Sequence, residues 1–307
     1  MGRLVWLVTW NRGGITAGLL MGQDESPGSN PTQANTQANG RARRLLLEVC
    51  VETVEDGLTA ARHGADRLEL CCGLETGGLT PSVGLFRETR AAVGPQMPIN
   101  VLICPRVGDF VWSHGVGAVM RRDLDTLLAE GADGAAVSAL RPDGSIDRDL
   151  SGTLGRIIGV GSRAVFHRAF DHVEEKPGEF DQSLEDLVDL GLSRVLTTGQ
   201  RAVAAWGVAN LARWVVQARG RIEIGAAGGI GPANLAGIVR QSGCCRVHAS
   251  RRARSEPPLL VRAARVARVP LAVGEAQSLS SGPRGVHPGV VARCRVMLDE
   301  RAGELND

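Results

Sequence analysis

Two short apolar segments of the chain carry the same pair of reactive side chains at the same spacing. LLLEVC places Glu48 two residues before Cys50, and DRLELC places Glu69 two residues before Cys71. Because side chains alternate along a strand, each carboxylate shares a face with its thiol. If the two strands are neighbours, the paired thiols suit a soft metal ion. The thiols could equally be small buried residues, whereas buried carboxylates need partners.

Composition limits the kinds of partner that the chain is expected to bind. It has 307 residues, a formal net charge of +2, 3% aromatic residues and no tyrosine, so a nucleic-acid partner is not indicated. No stretch approaches the roughly 20 apolar residues of a membrane span. The seven cysteines form neither a CxxC motif nor a zinc-finger spacing. We therefore expect a cytoplasmic protein with reduced thiols and no membrane partner, and we leave a homo-oligomer open.

The pattern of the chain predicts one α/β domain after an N-terminal extension. Residues 1–43 include a segment rich in Gly, Pro, Ser, Asn, Thr and Gln, which predicts disorder. A strand–helix rhythm fills 44–307 and predicts a single (β/α)8 TIM barrel, although a doubly wound sheet shares the pattern. The predicted strands are 45–50, 66–71, 98–104, 134–138, 163–168, 193–197, 221–226 and 245–249. The predicted helices are 53–64, 82–93, 115–130, 147–159, 180–190, 201–218, 231–242 and 288–302.

The connection over 250–287 is long and rich in Pro, Gly and Ser. A structureless loop of that length is unusual in a compact domain. We therefore expect part of it, 257–268, to be helical and 274–286 to be mobile.

Polar side chains gather where the predicted strands end, which is the end of a barrel where active sites are found. Three of them could transfer protons, namely Glu48, Glu69 and His167. Four residues could hold an anion, namely Arg106, Gly228, Gly229 and Ser250. The glycines could instead serve only a tight turn, and a lone histidine is often a core residue. We expect the two glutamates to point into the barrel and to be partnered by an arginine or histidine, such as Arg106 or His167.

The motifs together resemble the CutC family of copper homeostasis proteins. The resemblance covers about residues 45–250 and is carried, in order, by LLLEVC, DRLELCCGLETGGLTPSVG, PRVGDF, FHRAFD, RVLTTG, AAGGI and VHAS. It implies a TIM barrel, a cytoplasmic location and binding of Cu(I). The cysteines proposed to bind copper in some members match Cys50 and Cys71. The resemblance also implies a barrel that looks like an enzyme whose substrate is unknown.

The chain departs from the family pattern at one strand end. It reads C-P-R-V-G-D-F where members usually read R-P-R-G-G-D-F, so Cys104 replaces an arginine. This change weakens the inference of an anion site and predicts a metal site of three thiols, Cys50, Cys71 and Cys104. Cys104 could also be a drifted core position. Strand parity makes Cys72 peripheral, and Cys244 and Cys245, at the opposite end of a strand, structural.

The sequence is compatible with three functions. The first is copper homeostasis, with Cu(I) bound by the strand-end thiols. The second is a barrel enzyme that acts on a small phosphorylated or carboxylated molecule, with Glu48, Glu69 and His167 as acid and base groups. A non-catalytic scaffold is a third possibility. No nucleotide cofactor is indicated.

Overall fold

The computed structural model describes residues 7–11, 14–18, 44–159, 163–173, 182–249 and 285–304, which fall into two units, 1–41 and 42–307. In the larger unit, eight parallel strands close into a barrel. Their bounds are β1 Leu46–Val51, β2 Arg67–Leu70, β3 Ile99–Leu102, β4 Gly134–Val137, β5 Ala164–Phe166, β6 Arg194–Thr197, β7 Glu223–Ala227 and β8 Arg246–Ala249. The (β/α)8 prediction is confirmed, and the doubly wound alternative is wrong because β8 pairs with β1.

The smaller unit contains two described strands. Leu7–Asn11 pairs antiparallel with Gly14–Gly18, inside the segment that we expected to be disordered. The rest of 1–43 lies outside the described residues, so the expectation for this extension stays a prediction. The predicted helix 257–268 also lies outside them, as does nearly all of the segment 274–286 that we expected to be mobile.

Helices follow the strands and cover the outside of the barrel. They are α1 Val54–Arg62, α2 Val83–Val93, α3 His114–Ala129, α4 Arg148–Ile158, α5 Gln182–Asp189, α6 Val208–Ala218, α7 Leu235–Ser242 and α8 Pro288–Glu304. Side-chain oxygens cap four of them at the start, from Thr53, Ser82, Ser113 and Asp147. None of the helices in the described part of the chain is both long enough and apolar enough to cross a bilayer.

The prediction of a helix over 201–218 was wrong in its first turns, since α6 begins only at Val208. The preceding residues form a short 3-10 turn, Ala204–Trp206, followed by Gly207. A Cβ atom built on Gly207 would lie 1.8 Å from the carbonyl oxygen of Thr198. The backbone of this glycine therefore packs directly on the turn after β6, where a residue with a side chain would not fit. Helix α7 also starts later than predicted, at Leu235 rather than at residue 231.

The interior of the barrel has two chemically different layers. Near the carboxyl ends of the strands lies an apolar inner cluster of Cys50, Cys71, Leu102, Cys104, Ala136, Val165, Leu196 and Ala227. Toward the amino ends lies an ionic layer of Glu48, Arg67, Arg194, Glu223, Arg246 and His248. Alternate residues of the same strands, such as Val49 and Leu68, are buried against the helices. The period-2 alternation of each strand thus places the chemistry inside the barrel and the main hydrophobic core outside it.

Candidate functional site

The two Glu-x-Cys segments are neighbours, and they bring their thiols together. Cys50 lies on β1 and Cys71 directly follows β2, in parallel strands where Cys50 is opposite Glu69. The sulfur atoms of Cys50 and Cys71 are 3.6 Å apart, and both side chains are buried. The thiol of Cys71 also points at the carbonyl oxygen of Val51, at 3.6 Å. Two adjacent, buried thiols in an apolar cluster form a donor pair of the kind that soft metal ions prefer.

A histidine from the last strand completes this group. Atoms of Cys50, Glu69 and His248 lie within 4.8 Å of one another, and all three residues are buried. The Cys50 sulfur is 3.6 Å from Oε1 of Glu69, and Nε2 of His248 is 3.7 Å from the same oxygen. The sequence pattern placed His248 at a strand end but did not select it as a site residue. Its presence here results from closure of the barrel, which makes β8 the neighbour of β1.

Glu48 holds His248 in place from the side opposite the thiols. Its Oε1 lies 2.9 Å from Nδ1 of His248, and its Oε2 accepts from Arg194 at 3.1 Å and from Arg67 at 3.4 Å. Burial would raise the pKa of Glu48, but the hydrogen bond from His248 and the charges of Arg194, His248 and Arg67 lower it to about 2. Glu48 is therefore an ionised anchor with a fixed set of donors.

The protonation states of the group follow from burial and from its neighbours. Burial opposes charge on His248, but the charge of Glu69 and hydrogen bonds to Cys50 and Glu48 raise its pKa well above the usual value. Burial and the charge of Glu48 raise the pKa of Glu69. The hydrogen bond with Cys71, and then burial, raise the pKa of the Cys50 thiol. Without a metal ion, the group therefore holds an imidazolium and a neutral Cys50 thiol at neutral pH.

The expected partners of the carboxylates, Arg106 and His167, were wrong, although an arginine and a histidine do fill the roles. The guanidinium of Arg106 donates to the carbonyl oxygen of Val111 at 2.8 Å and lies 4.8 Å from the ring centroid of Trp112. It is about half exposed and serves its own loop, and its carbonyl oxygen accepts from the Cys104 thiol at 3.3 Å. The alternation of side chains along β6 would have indicated Arg194 as the partner of a carboxylate. Arg194 stands at the start of this strand and faces the barrel interior.

His167 is a buried, neutral imidazole at the end of β5. Burial, and then the charges of His248, Arg168 and His172, lower its pKa to about 3. Its Nδ1 atom has no hydrogen-bond partner in the described parts of the chain, and its ring lies 6.3 Å from that of Phe110. His167 therefore does not neutralise either glutamate, and its proposed role in proton transfer stays a prediction.

The glycine pair that we expected at an anion site is required by the backbone itself. Gly228 and Gly229 both have positive φ angles, +88° and +69°. A Cβ atom on Gly228 would lie 2.6 Å from Thr198, and one on Gly229 would lie 2.8 Å from Val203. The tight-turn interpretation is therefore sufficient for both residues. The anion role of Arg106, Gly228 and Gly229 stays a prediction, and Ser250 lies outside the described residues.

The other cysteines lie apart from the thiol pair or face other groups. The thiol of Cys72 is half-buried and donates to the carbonyl oxygen of Thr80 at 3.1 Å, as strand parity requires. Cys244 is buried in the outer core, and the sulfur of Cys245 lies 3.8 Å from Oε1 of Glu223. Cys104 belongs to the inner cluster with Cys50 and Cys71, but its place in a three-thiol site stays a prediction.

Four residues of the ionic layer could have been predicted from their positions along the strands. Arg67 and Arg246 each stand two residues before an interior polar residue, Glu69 and His248. Arg194 and Glu223 occupy paired positions at the starts of β6 and β7, and their side chains meet at 2.7 Å. The same parity argument that placed the carboxylates inside the barrel also places these residues there.

The family model and the sequence relatives that match this chain name the same family. The model of the CutC family matches residues 45–253. A human protein named copper homeostasis protein cutC homolog is 40% identical over 228 residues, which are 74% of this chain and 81% of that protein. A CutC family protein of Agrobacterium fabrum is 40% identical over 206 residues, covering 67% of this chain and 79% of the relative.

A solved structure of CutC from Streptococcus agalactiae aligns with a TM-score of 0.62 at 28% identity, over 67% of this chain and 99% of that one. The matched region runs from β1 to just beyond β8, so it contains all the strands that carry the thiols, His248 and the ionic layer. The chain therefore belongs to the CutC family.

Proposed function

We propose that this copper homeostasis family member binds Cu(I) as its cargo through the thiolates of Cys50 and Cys71. The observation that carries the proposal is the 3.6 Å separation of the two sulfur atoms in a buried, apolar cluster. A site with only a few thiolate ligands, which are highly polarisable, selects a soft monovalent ion over the harder divalent ions. The names of the relatives support the same metal.

In this proposal, His248 supplies a third ligand atom, Nε2, beside Cys50. Metal-binding histidines commonly bond a carboxylate through their second ring nitrogen, which fixes the ring and its tautomer. The contact of Nδ1 with Glu48 provides this arrangement, and Arg194 and Arg67 hold Glu48 in turn. Glu48 is therefore a positioning residue and not a ligand.

Loading of the ion requires protons to leave the site. A thiol must lose its proton to act as a strong ligand, and an imidazolium must lose one before Nε2 can coordinate. Cys50 and His248 both have raised pKa values, so each releases a proton on binding. One positive charge enters with the ion and at least two protons leave, so binding makes the site more negative by at least one charge.

A reducing compartment suits this chemistry, and we place the protein in the cytoplasm on that ground. The described cysteines are all free thiols, and Cys50 and Cys71 must stay reduced to bind Cu(I).

Competition against a Cu(I) chelator under anaerobic conditions tests the proposal. We expect Cys50→Ser and Cys71→Ser each to lose high-affinity binding, because each removes one of two soft ligands. Cys72→Ser is the matched control, since its thiol is adjacent in sequence but bonds Thr80 instead. Wild-type affinity in both Cys50→Ser and Cys71→Ser would overturn the proposal, and an equal loss in Cys72→Ser would refute the parity argument.

A second candidate function is proton-transfer catalysis. Two buried side chains with shifted pKa values support it. Glu69 has a raised pKa, as a general acid requires, and His167 is neutral with an unpartnered Nδ1 among the described residues. Glu69→Gln separates the two functions. An enzyme would lose turnover of a small phosphorylated or carboxylated substrate, whereas Cu(I) binding would be kept because the sulfur ligands remain.

A further inference from the structure

A cavity opens at the end of the barrel opposite the carboxyl ends of the strands. It has a volume of about 460 Å³, which is within the range of small-molecule sites. Residues of the loops that precede β2 and β3, including Asp66 and Pro98, line its mouth. Its floor is the ionic layer, to which Glu48 and His248 contribute. The cavity thus reaches the Glu48–His248 pair from the side opposite the thiols.

The ionic layer that lines this cavity holds more guanidinium groups than carboxylates. Arg67, Arg194 and Arg246 line it from β2, β6 and β8. Two carboxylates, the buried Glu48 of the lining and the partly buried Glu223 of β7, accept from these three arginines. Within the ionic layer, three positive guanidinium groups therefore face two negative groups, even before His248 is counted.

One of the arginines has a donor left over. Arg194 is almost completely buried, with 2% of its side chain exposed, and it bonds Glu48 through Nη1 and Glu223 through Nε. Its Nη2 is buried with no hydrogen-bond partner among the residues that the structure describes. An unsatisfied buried donor is costly, and it costs more on a charged group. Arg194 lines the cavity, so a ligand acceptor there toward which the guanidinium turned would remove that cost.

We propose that this cavity is a binding site for a small oxyanion, the carboxylate or phosphate group of a low-molecular-weight compound. The planar guanidinium matches both groups because it presents two parallel N–H donors to two oxygens. Arg67 and Arg246 line the same cavity and supply further positive charge. The site is separate from the thiol pair, and Glu48 lies between them because it bonds Arg194 on one side and His248 on the other.

The alternative for an ionic layer at this end of a barrel is a purely structural role. Calorimetric titration of the metal-free, full-length protein distinguishes the two. We use inorganic phosphate and malonate as probes, and malonamide as an uncharged molecule of the same shape as malonate. We expect saturable binding of at least one oxyanion and none of malonamide. Binding of phosphate alone would assign the site to phosphate groups, and binding of malonate alone would assign it to carboxylates. Binding of both would assign it to oxyanions in general.

Variants then locate the binding. We expect Arg67→Gln and Arg246→Gln each to weaken oxyanion binding by about tenfold or more, since each removes a charged donor. Arg87→Gln is the control, because Arg87 is an exposed arginine paired with Glu130 on the outside of the barrel. A rise in the thermal midpoint of wild-type protein with the oxyanion, relative to chloride at equal ionic strength, checks the same claim without any variant.

The proposal fails if neither oxyanion binds the wild-type protein, or if malonamide binds as well as malonate. It also fails if Arg87→Gln weakens binding as much as Arg67→Gln and Arg246→Gln do. The titration contains no copper, so its result does not depend on the result for the thiol site.

Discussion

The Nδ1 atom of His248 lies 2.9 Å from Oε1 of Glu48, across the strand pair that closes the barrel. The two residues occupy paired positions of β8 and β1. This contact turns the other ring nitrogen of His248 toward Cys50 and Glu69. It therefore joins the ionic layer at one end of the barrel to the thiol pair at the other, although the two residues are 200 positions apart in the chain.

Glu48→Gln tests whether this contact tunes the proposed copper site. Loss of the carboxylate charge makes the imidazole a weaker ligand, and such second-layer changes cost metal affinity by about 10- to 100-fold. We expect Cu(I) affinity to fall by about tenfold in a chelator competition.

Glu223→Gln is the matched control, because Glu223 bonds the same Arg194 but makes no contact with His248. An equal loss of Cu(I) affinity in the Glu223 and Glu48 variants would show that the effect is general disturbance of the ionic layer.

Cu(I) affinity should rise steeply with pH. The pKa values of Cys50 and His248 are both raised, so both carry a proton in the metal-free protein and lose it on binding. Each displaced proton makes the apparent affinity rise about tenfold per pH unit. We therefore expect at least about a hundredfold rise per unit between about pH 6 and pH 8, measured by chelator competition in buffers of known pH.

His248→Gln should reduce this slope by about one power of ten per pH unit, because one fewer proton is displaced. The slope is informative even if the variant also binds copper more weakly. An unchanged slope would show that His248 does not lose a proton on binding and is not a ligand.

The fold was predictable from the sequence because the two-residue period of a strand alternates eight times with the period of an amphipathic helix. In each strand, alternate side chains face the inside and the outside of the barrel. Parity also predicted that Cys71 and not Cys72 joins Cys50. The types of the carboxylate partners, arginine and histidine, were predicted, but the residues themselves were not. Arg194 and His248 meet Glu48 only because the barrel closes and its strands are staggered, and neither effect is local in the sequence.

Two predictions failed at places where the structure has a close backbone contact or a competing local hydrogen bond. Helix α6 starts late, at Val208, directly after Gly207 packs on the carbonyl of Thr198, and no helical pattern reveals that contact. Arg106 looked like a carboxylate partner, but its guanidinium bonds the carbonyl of Val111 in its own loop.

The buried neutral state of His167 should make the protein less stable in mild acid. The pKa is lowered to about 3 in the fold, so the unfolded chain takes up a proton below about pH 6.5 while the folded chain does not. Stability from this group is therefore complete above pH 6.5 and is lost as pH falls toward 3. The expected loss between pH 7 and pH 5 is about 2 kcal/mol.

The free energy of unfolding is measured for both proteins with urea at pH 7 and pH 5. We expect the decrease from pH 7 to pH 5 to be about 2 kcal/mol smaller in His167→Gln than in the wild type. His248 acts in the opposite direction because its pKa is raised, so only the difference between the two proteins isolates His167. Identical pH dependence in both proteins would contradict the lowered pKa.

Cys104→Ser tests the proposal of a third sulfur ligand. The Cys104 thiol donates to the carbonyl oxygen of Arg106 at 3.3 Å and must leave that bond to reach a metal ion. We therefore expect Cys104→Ser to weaken Cu(I) binding, but by less than Cys71→Ser does, in the same chelator competition. Wild-type affinity would remove Cys104 from the site, and a loss as large as that of Cys71→Ser would make it an equal ligand.

The most direct test of the central claim is copper analysis of reduced protein after equilibration with Cu(I) and gel filtration. We predict about one Cu(I) per chain in the wild-type protein and none above background in a double variant with Cys50→Ser and Cys71→Ser, because soft thiolates hold the ion. Circular dichroism confirms that the double variant is folded. Retention of the wild-type amount of copper by that folded variant would contradict the assignment of the metal site to these two thiols.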